Sequence, residues 1–137
     1  MGLILDTSIL IASERRGETV RQLFQRIQAS CGETEVALSA ITIVELTHGL
    51  YRAKTEADRQ KRQSFFEELC SDLLVHPLSF EIARLAGRIE GEQAALGNVL
   101  ATEDLLIGAT ALHLGFEVAT LNAKHFQQIP GLKLVIL

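Results

Sequence analysis

Tryptophan is absent, tyrosine and methionine occur once each, and glycine and proline number only ten and two among 137 residues. That scarcity excludes collagen-like and disordered chains. The two cysteines, Cys31 and Cys70, stand far apart with no CxxC spacing, so they read as reduced thiols of a cytoplasmic protein and not as a disulfide framework. No apolar run approaches the roughly 20 residues that span a bilayer, and the apolar start Gly2 to Leu5 is cut by Asp6 without a basic leader. No membrane partner is expected. An excess of positive charge is also missing: 13 Lys and Arg face 17 Asp and Glu, a formal charge of −4, so a nucleic-acid partner would need a local basic patch.

What is present is an apolar share of 47%, enough for one buried core, and the chain reads as a single domain over residues 1–137. Leu3-Ile4-Leu5 and Glu35 to Leu38 are short apolar runs of the kind found in strands buried on both faces. Ser39 is placed to cap a helix through about Arg52, because Ile41, Val44, Leu46 and Leu50 recur at near-helical spacing. A charged amphipathic helix is expected from Thr55 to Leu74, then a short strand at Leu74-Val75-His76 before Pro77. Ser79 opens a helix through about Leu96, which Gly97-Asn98 stops, and Thr102 is read as the cap of a helix ending at Gly115. Phe116 to Thr120 and Lys133 to Leu137 read as strands, with a helical turn at 122–127 between them. Strands alternating with helices predict an α/β fold with a mainly parallel sheet covered on both faces, and ligands at the carboxyl ends of its strands.

Four polar residues fall at such ends or in the helices behind them: Asp6, Glu45, Asp104 and Asn122. Singly, Asp6 fits a helix N-cap, Asp104 complements a helix dipole and Asn122 suits a turn. Glu45 is harder to assign to structure alone, since Ala40 to Leu46 holds no other charge and a lone buried carboxylate is costly. A cation removes that cost. Three carboxylates from separate segments make an oxygen-rich site suited to Mg2+, with Mn2+ able to substitute, and such sites hydrolyse phosphodiesters.

Leu5-Asp6-Thr7-Ser8, Ser39-x-Ile41-Thr42-x-x-Glu45-Leu46, and Asp104-x-x-Ile107-Gly108-Ala109-Thr110-Ala111 resemble the three acidic motifs of PIN-domain ribonucleases. Ala119-Thr120-Leu121-Asn122 with Phe126, then Ile129-Pro130-Gly131-Leu132, resembles the fourth, and the set is most similar to the VapC-like toxins of type II toxin–antitoxin systems. The resemblance implies a three-layer α/β/α fold with a five-stranded parallel sheet in the order 3-2-1-4-5. It implies Asp6, Glu45 and Asp104 as metal-binding carboxylates, Asn122 as a fourth catalytic position, and Thr7 and Thr120 as hydroxyls near the metal or its waters. Where many relatives carry Asp at the fourth position, this chain has Asn122, which brings no charge and puts a second metal in doubt.

The implied function is Mg2+-dependent endoribonuclease activity, with RNA as substrate, a cognate antitoxin as protein partner, and a homodimer whose contact is expected around Leu23, Phe24 and Ile27. The alternative is a non-catalytic module of the same fold that only binds RNA or protein. No side-chain nucleophile stands out: Ser8 and the cysteines lack a His partner motif, and the four histidines show no paired zinc spacing. Ser8 also occupies the place where phosphatases forming an acyl-phosphate need a second Asp. Among basic residues Arg15-Arg16, expected just beyond the first helix, is the candidate for RNA backbone contact. Arg52 to Arg62 reads as a solvated helix face, and His125 as a surface-turn histidine.

Overall fold

The chain alternates strand and helix in a way that buries one face of every helix. The computed structural model describes residues 1–137. In chain order the elements are β1 (Gly2–Leu5), α1 (Thr7–Arg15), α2 (Val20–Cys31), β2 (Glu35–Ser39), α3 (Ala40–Tyr51), α4 (Glu56–Asp72), β3 (Leu74–His76), α5 (Phe80–Ala95), α6 (Thr102–Leu114), β4 (Glu117–Thr120), α7 (Ala123–Phe126) and β5 (Leu134–Ile136). The strands form one parallel sheet in the order β3-β2-β1-β4-β5, with Leu3 opposite Val36 and Glu117. The order is the expected one.

Side-chain alternation along the central strands divides the core into two layers. Leu3, Leu5, Leu38 and Ala119 face α1, α2 and α4 through Ile9, Leu10, Val20, Leu23, Ile27, Phe65 and Leu69. Ile4, Ala37 and Val118 face α5 and α6 through Ile82, Ala86, Ile89, Leu105, Ile107 and Ala109. All four residues of β1 are buried, as the strand between two helical layers must be.

Local signals set most of the boundaries. Thr19 and Gln22 close a capping box on α2, each accepting the other's backbone N–H. Ser39, Thr55 and Ser79 cap α3, α4 and α5 through N–H···O bonds of 3.1 Å. Gly115, at φ 71°, ends α6 in the left-handed conformation that favours glycine. Gly108 serves packing: a Cβ there would come within 2.5 Å of the Ile129 δ-methyl, so its absence lets α6 close on the turn before β5.

Several expectations need correction. The N-cap of α6 is Ala101, and Thr102 is the first helical residue, because the chain leaves its extended conformation one residue earlier. Arg15 belongs to the last turn of α1 and Arg16 caps it, rather than both lying beyond the helix. The charged helix α4 ends at Asp72, two residues before Leu74, which opens β3. The largest correction concerns Leu23, Phe24 and Ile27. Leu23 and Ile27 are buried in the layer under α2 and Phe24 packs beside them, so their helical spacing marks the core stripe and not an exposed dimer face.

Replacing Leu23 by Ala is therefore expected to lower unfolding free energy by about 3 kcal/mol, the usual cost of a large-to-small change in a packed core. Urea denaturation followed by circular dichroism checks it, and a change under about 0.5 kcal/mol would put Leu23 back on the surface.

Candidate active site

The order reversal of the sheet lies at β1, between β2 and β4, and in open sheets of this kind the carboxyl ends at the reversal are where ligands bind. Asp6 is the first residue past β1 and is almost fully buried. Its N–H donates to the Ala119 carbonyl at 2.9 Å, which ties it to β4. Although it stands at the N-cap of α1, its side chain caps nothing. Instead Oδ2 accepts two hydroxyl bonds, from Ser8 Oγ at 2.7 Å and Thr120 Oγ1 at 2.8 Å. Each hydroxyl in turn accepts a backbone N–H from the β4–α7 loop: Leu121 to Ser8 at 3.2 Å, and Asn122 to Thr120 at 2.9 Å. One carboxylate oxygen thus organises both strand ends, while Oδ1 stays out of this network.

Glu45 comes from the second turn of α3 and is half-buried. Thr7 Oγ1 lies 2.7 Å from Glu45 Oε1 and 3.1 Å from Thr42 Oγ1, and its single proton is directed at the carboxylate. Asp104 lies in the first turn of α6, where the His125 Nδ1 of α7 reaches to 3.3 Å from its Oδ2.

The fold brings these carboxylates near enough that the Asp6 charge opposes the ionisation of both Glu45 and Asp104. Burial is the first cause that pushes the Glu45 carboxyl above its ordinary range. The Thr7 hydrogen bond works against it, while Asp6, Asp104 and Glu103 add repulsion. For Asp104 burial again leads, Asp6 and Glu103 add to it, and His125 partly compensates. The only ion pair made by these three carboxylates is that of Asp104 with the exposed His125. No group of three acidic, His or Cys side chains closes into a ready coordination sphere. The donor chemistry nevertheless suits a hard divalent cation: carboxylate oxygens only, partly desolvated, with an Oδ1 unclaimed.

Thr7 and Thr120 sit beside the carboxylates as expected, but their protons are directed at Glu45 and Asp6. Asn122 follows β4 at the N-cap of α7, exposed, with no side-chain hydrogen bond, and reaches the cluster through its backbone N–H on Thr120. The Arg15-Arg16 pair is split. Arg16 is held by Glu18 at 3.2 Å beside Arg26 at 3.0 Å, a group in which Arg26 above all draws the Glu18 carboxyl down to about 2. Arg16 therefore stabilises the α1–α2 turn. Arg15 lines a cavity of about 100 Å3 between α1, α3 and α4, together with Glu45 and Arg62.

Ser8 and Thr42 as partners of the carboxylates, and Glu103 as a source of charge, do not stand out in the sequence alone. His125, a surface-turn histidine by its position in the sequence, is both exposed and paired with Asp104. Helical spacing was the available signal for Thr42, three residues before Glu45.

A carboxyl whose pKa is higher in the folded than in the unfolded state favours folding only while protonated, and that contribution is lost as pH rises through the folded value. Asp104→Asn should raise the Tm of the metal-free protein at pH 7, and the gain should shrink as pH falls into the carboxylate range. Differential scanning calorimetry in EDTA from pH 4 to 7 reads this, and an unchanged or lower Tm at pH 7 would contradict the repulsion.

The PIN domain family profile matches residues 3–132. Ribonuclease VapC1 of Rickettsia felis is 35% identical over 135 residues, covering 98% of this chain and 96% of that protein. The tRNA(fMet)-specific endonuclease VapC of Salmonella typhimurium is 26% identical, over 96% of this chain and 94% of its own length. Among solved structures, VapBC2 from Rickettsia felis bound to a DNA fragment from their promoter matches with a TM-score of 0.86 at 23% identity, covering 100% and 99% of the two chains. DNA-bound VapBC from Salmonella typhimurium matches at 0.83 with 25% identity, over 99% and 98%. With a sheet in the order 3-2-1-4-5 and acidic side chains gathered at its switch point, this chain belongs to the PIN-domain family, among the VapC ribonucleases.

Proposed function

We propose that this chain is the endoribonuclease toxin of a toxin–antitoxin pair, a single PIN domain at work in the cytoplasm. In this reading Asp6, Glu45 and Asp104 hold one Mg2+, for which Mn2+ can substitute. The observation that carries it is the convergence of three partly or fully buried carboxylates, from the end of β1, α3 and α6, with the Asp6 charge opposing ionisation of both Glu45 and Asp104. A bound divalent cation supplies neutralisation of phosphate charge and a more acidic water.

The chain's own residues do the positioning. Ser8 and Thr120 hold Asp6 Oδ2 and leave Oδ1 outside their hydrogen bonds, and Thr7 fixes the Glu45 carboxylate. Ser8 and Thr7 act in this reading as hydrogen-bond donors that orient the Asp6 and Glu45 carboxylates. The attacking nucleophile in this reading is water. His125, at Asp104 and 58% exposed, stands where an incoming phosphate oxygen can accept from its ring. Asn122 borders the crevice without adding charge.

An antitoxin fits the same reading, by analogy with the toxin–antitoxin complexes that the fold resembles. A homodimer is also part of it, although α2 offers no exposed apolar face for one.

Asp6→Asn, Glu45→Gln and Asp104→Asn should each remove Mg2+-dependent RNA cleavage, on the order of a hundredfold or more, while circular dichroism stays native. EDTA should do the same to the unaltered protein. RNA binding without any cleavage, unaffected by chelation, would support the non-catalytic alternative.

Asn122→Asp adds one charge at the edge of this cluster, and divalent affinity should rise by about tenfold, as close opposite charges interact by about 1 to 4 kcal/mol. Calorimetric titration with Mn2+ tests it. Equal affinity would leave Asn122 an ordinary turn residue.

A further inference from the structure

An acidic enzyme that cuts a polyanion needs a place where the substrate is attracted, and the carboxylate crevice repels it. The basic residues are unevenly spread. Arg52, Lys54, Arg59, Lys61 and Arg62 lie within 11 positions against Glu56 and Asp58, a net +3 in a chain whose total is −4. This stretch is the α3–α4 turn and the first turns of α4, and two of its contacts distinguish it from a merely solvated helix face.

Tyr51, the only tyrosine, ends α3 with 74% of its surface exposed, and the Arg59 guanidinium lies over its ring at 5.4 Å from the centroid. One face of a large aromatic ring is thus braced by a cation while the ring stays open to solvent. Arg62 donates to the Gly49 carbonyl at 2.6 Å, which locks α4 to the end of α3 and fixes the turn. Arg62 also lines the cavity shared with Glu45 and Arg15, so the basic turn adjoins one of the three carboxylates. On the outer face of α3, Val44, His48 and Tyr51 follow at i, i+4 and i+7, an exposed stripe that begins beside Glu45.

From this we infer that the α3–α4 turn is the RNA-holding platform of the enzyme: Tyr51 stacks an unpaired base, and Arg52, Lys54 and Arg59 contact the phosphates of the strand that enters the crevice. The inference rests on the ribonuclease reading and extends it to substrate form. Base stacking on an exposed ring requires a base released from its duplex, so the platform selects single-stranded RNA or a loop. Charge complementarity favours RNA over an apolar protein segment here, because Arg59 lies over the ring and four further cations fall within the same 11 positions. Arg15, which lines the same cavity as Arg62 and Glu45, adds a further cation to this track.

The test uses a fluorescein-labelled single-stranded RNA of 12 mixed nucleotides and the full chain in an Asp6→Asn background with Mg2+, read by fluorescence anisotropy. Tyr51→Ala should weaken binding by roughly 5- to 100-fold and Tyr51→Phe should restore most of it, because stacking needs the ring and not the hydroxyl. Replacing Arg52 and Lys54 together by Ala should flatten the slope of log affinity against log salt by about one to two units. Tyr51 is exposed, so folding is not at stake. If the unaltered enzyme cuts RNA but Tyr51→Ala binds the strand as tightly as its background, the inference falls and the ribonuclease reading stands. The same holds if Tyr51→Ala affects only self-association by sedimentation or only capture of an antitoxin, which would give the turn to a protein partner. If the background protein binds no RNA and the unaltered enzyme cuts none, both fall together.

Discussion

Asp6 is the residue on which the arrangement turns. It ends the most buried strand of the sheet, and a carboxylate in that position is costly unless its charge is met. The chain meets part of the cost with hydroxyls, Ser8 and Thr120, and through them with the backbone N–H groups of Leu121 and Asn122. Those bonds join the ends of β1 and β4 across the switch point, so the fold and the site share the same atoms. The remaining charge, with Glu45 and Asp104 repelling across the crevice, is what a divalent cation would relieve.

This division of labour explains the unusual number of buried hydroxyls near the crevice. Thr7, Thr42 and Thr120 are buried, and Ser39 caps α3 from the adjoining strand. Each supplies a donor or acceptor without a second charge, and each has a short side chain that a packed layer can hold with little loss of rotamer freedom. Longer cationic partners beside Asp6 would neutralise the cluster. The cations are kept instead at the α1–α2 turn, where Arg16 and Arg26 hold Glu18, and at the α3–α4 turn, where Arg59 and Arg62 hold Tyr51 and Gly49. The charge pattern therefore has a negative crevice with a positive approach, although the net charge alone argues against a polyanionic substrate.

The strands and five of the seven helices were legible in the sequence because each rests on local signals, whereas the order of the sheet came with the family resemblance of the motifs. Apolar runs at Leu3 to Leu5 and Glu35 to Leu38, the caps Ser39, Thr55 and Ser79, and Gly115 all act within a few residues of where they stand. The acidic set was legible too, since Glu45 is anomalous in an apolar stretch and Asp6 follows a buried strand directly. Leu23 and Ile27 were misjudged for a physical reason: an amphipathic stripe states that a face is covered, and not whether the cover is a sheet or a second molecule.

The sequence by itself thus determined the alternation of elements, the family and the identities of the acidic residues, all matters of short-range pattern or of residue type. Only the tertiary structure decided what each polar group does. Ser8 and Thr120 meet on Asp6 across 112 residues, His125 finds Asp104, Arg16 is withdrawn to Glu18 while Arg15 stays by Glu45, and Arg59 comes to rest over Tyr51. Hydrogen bonds and charge pairs act over a few ångströms of space, and residues far apart in sequence reach that separation only after the apolar layers have closed around the sheet.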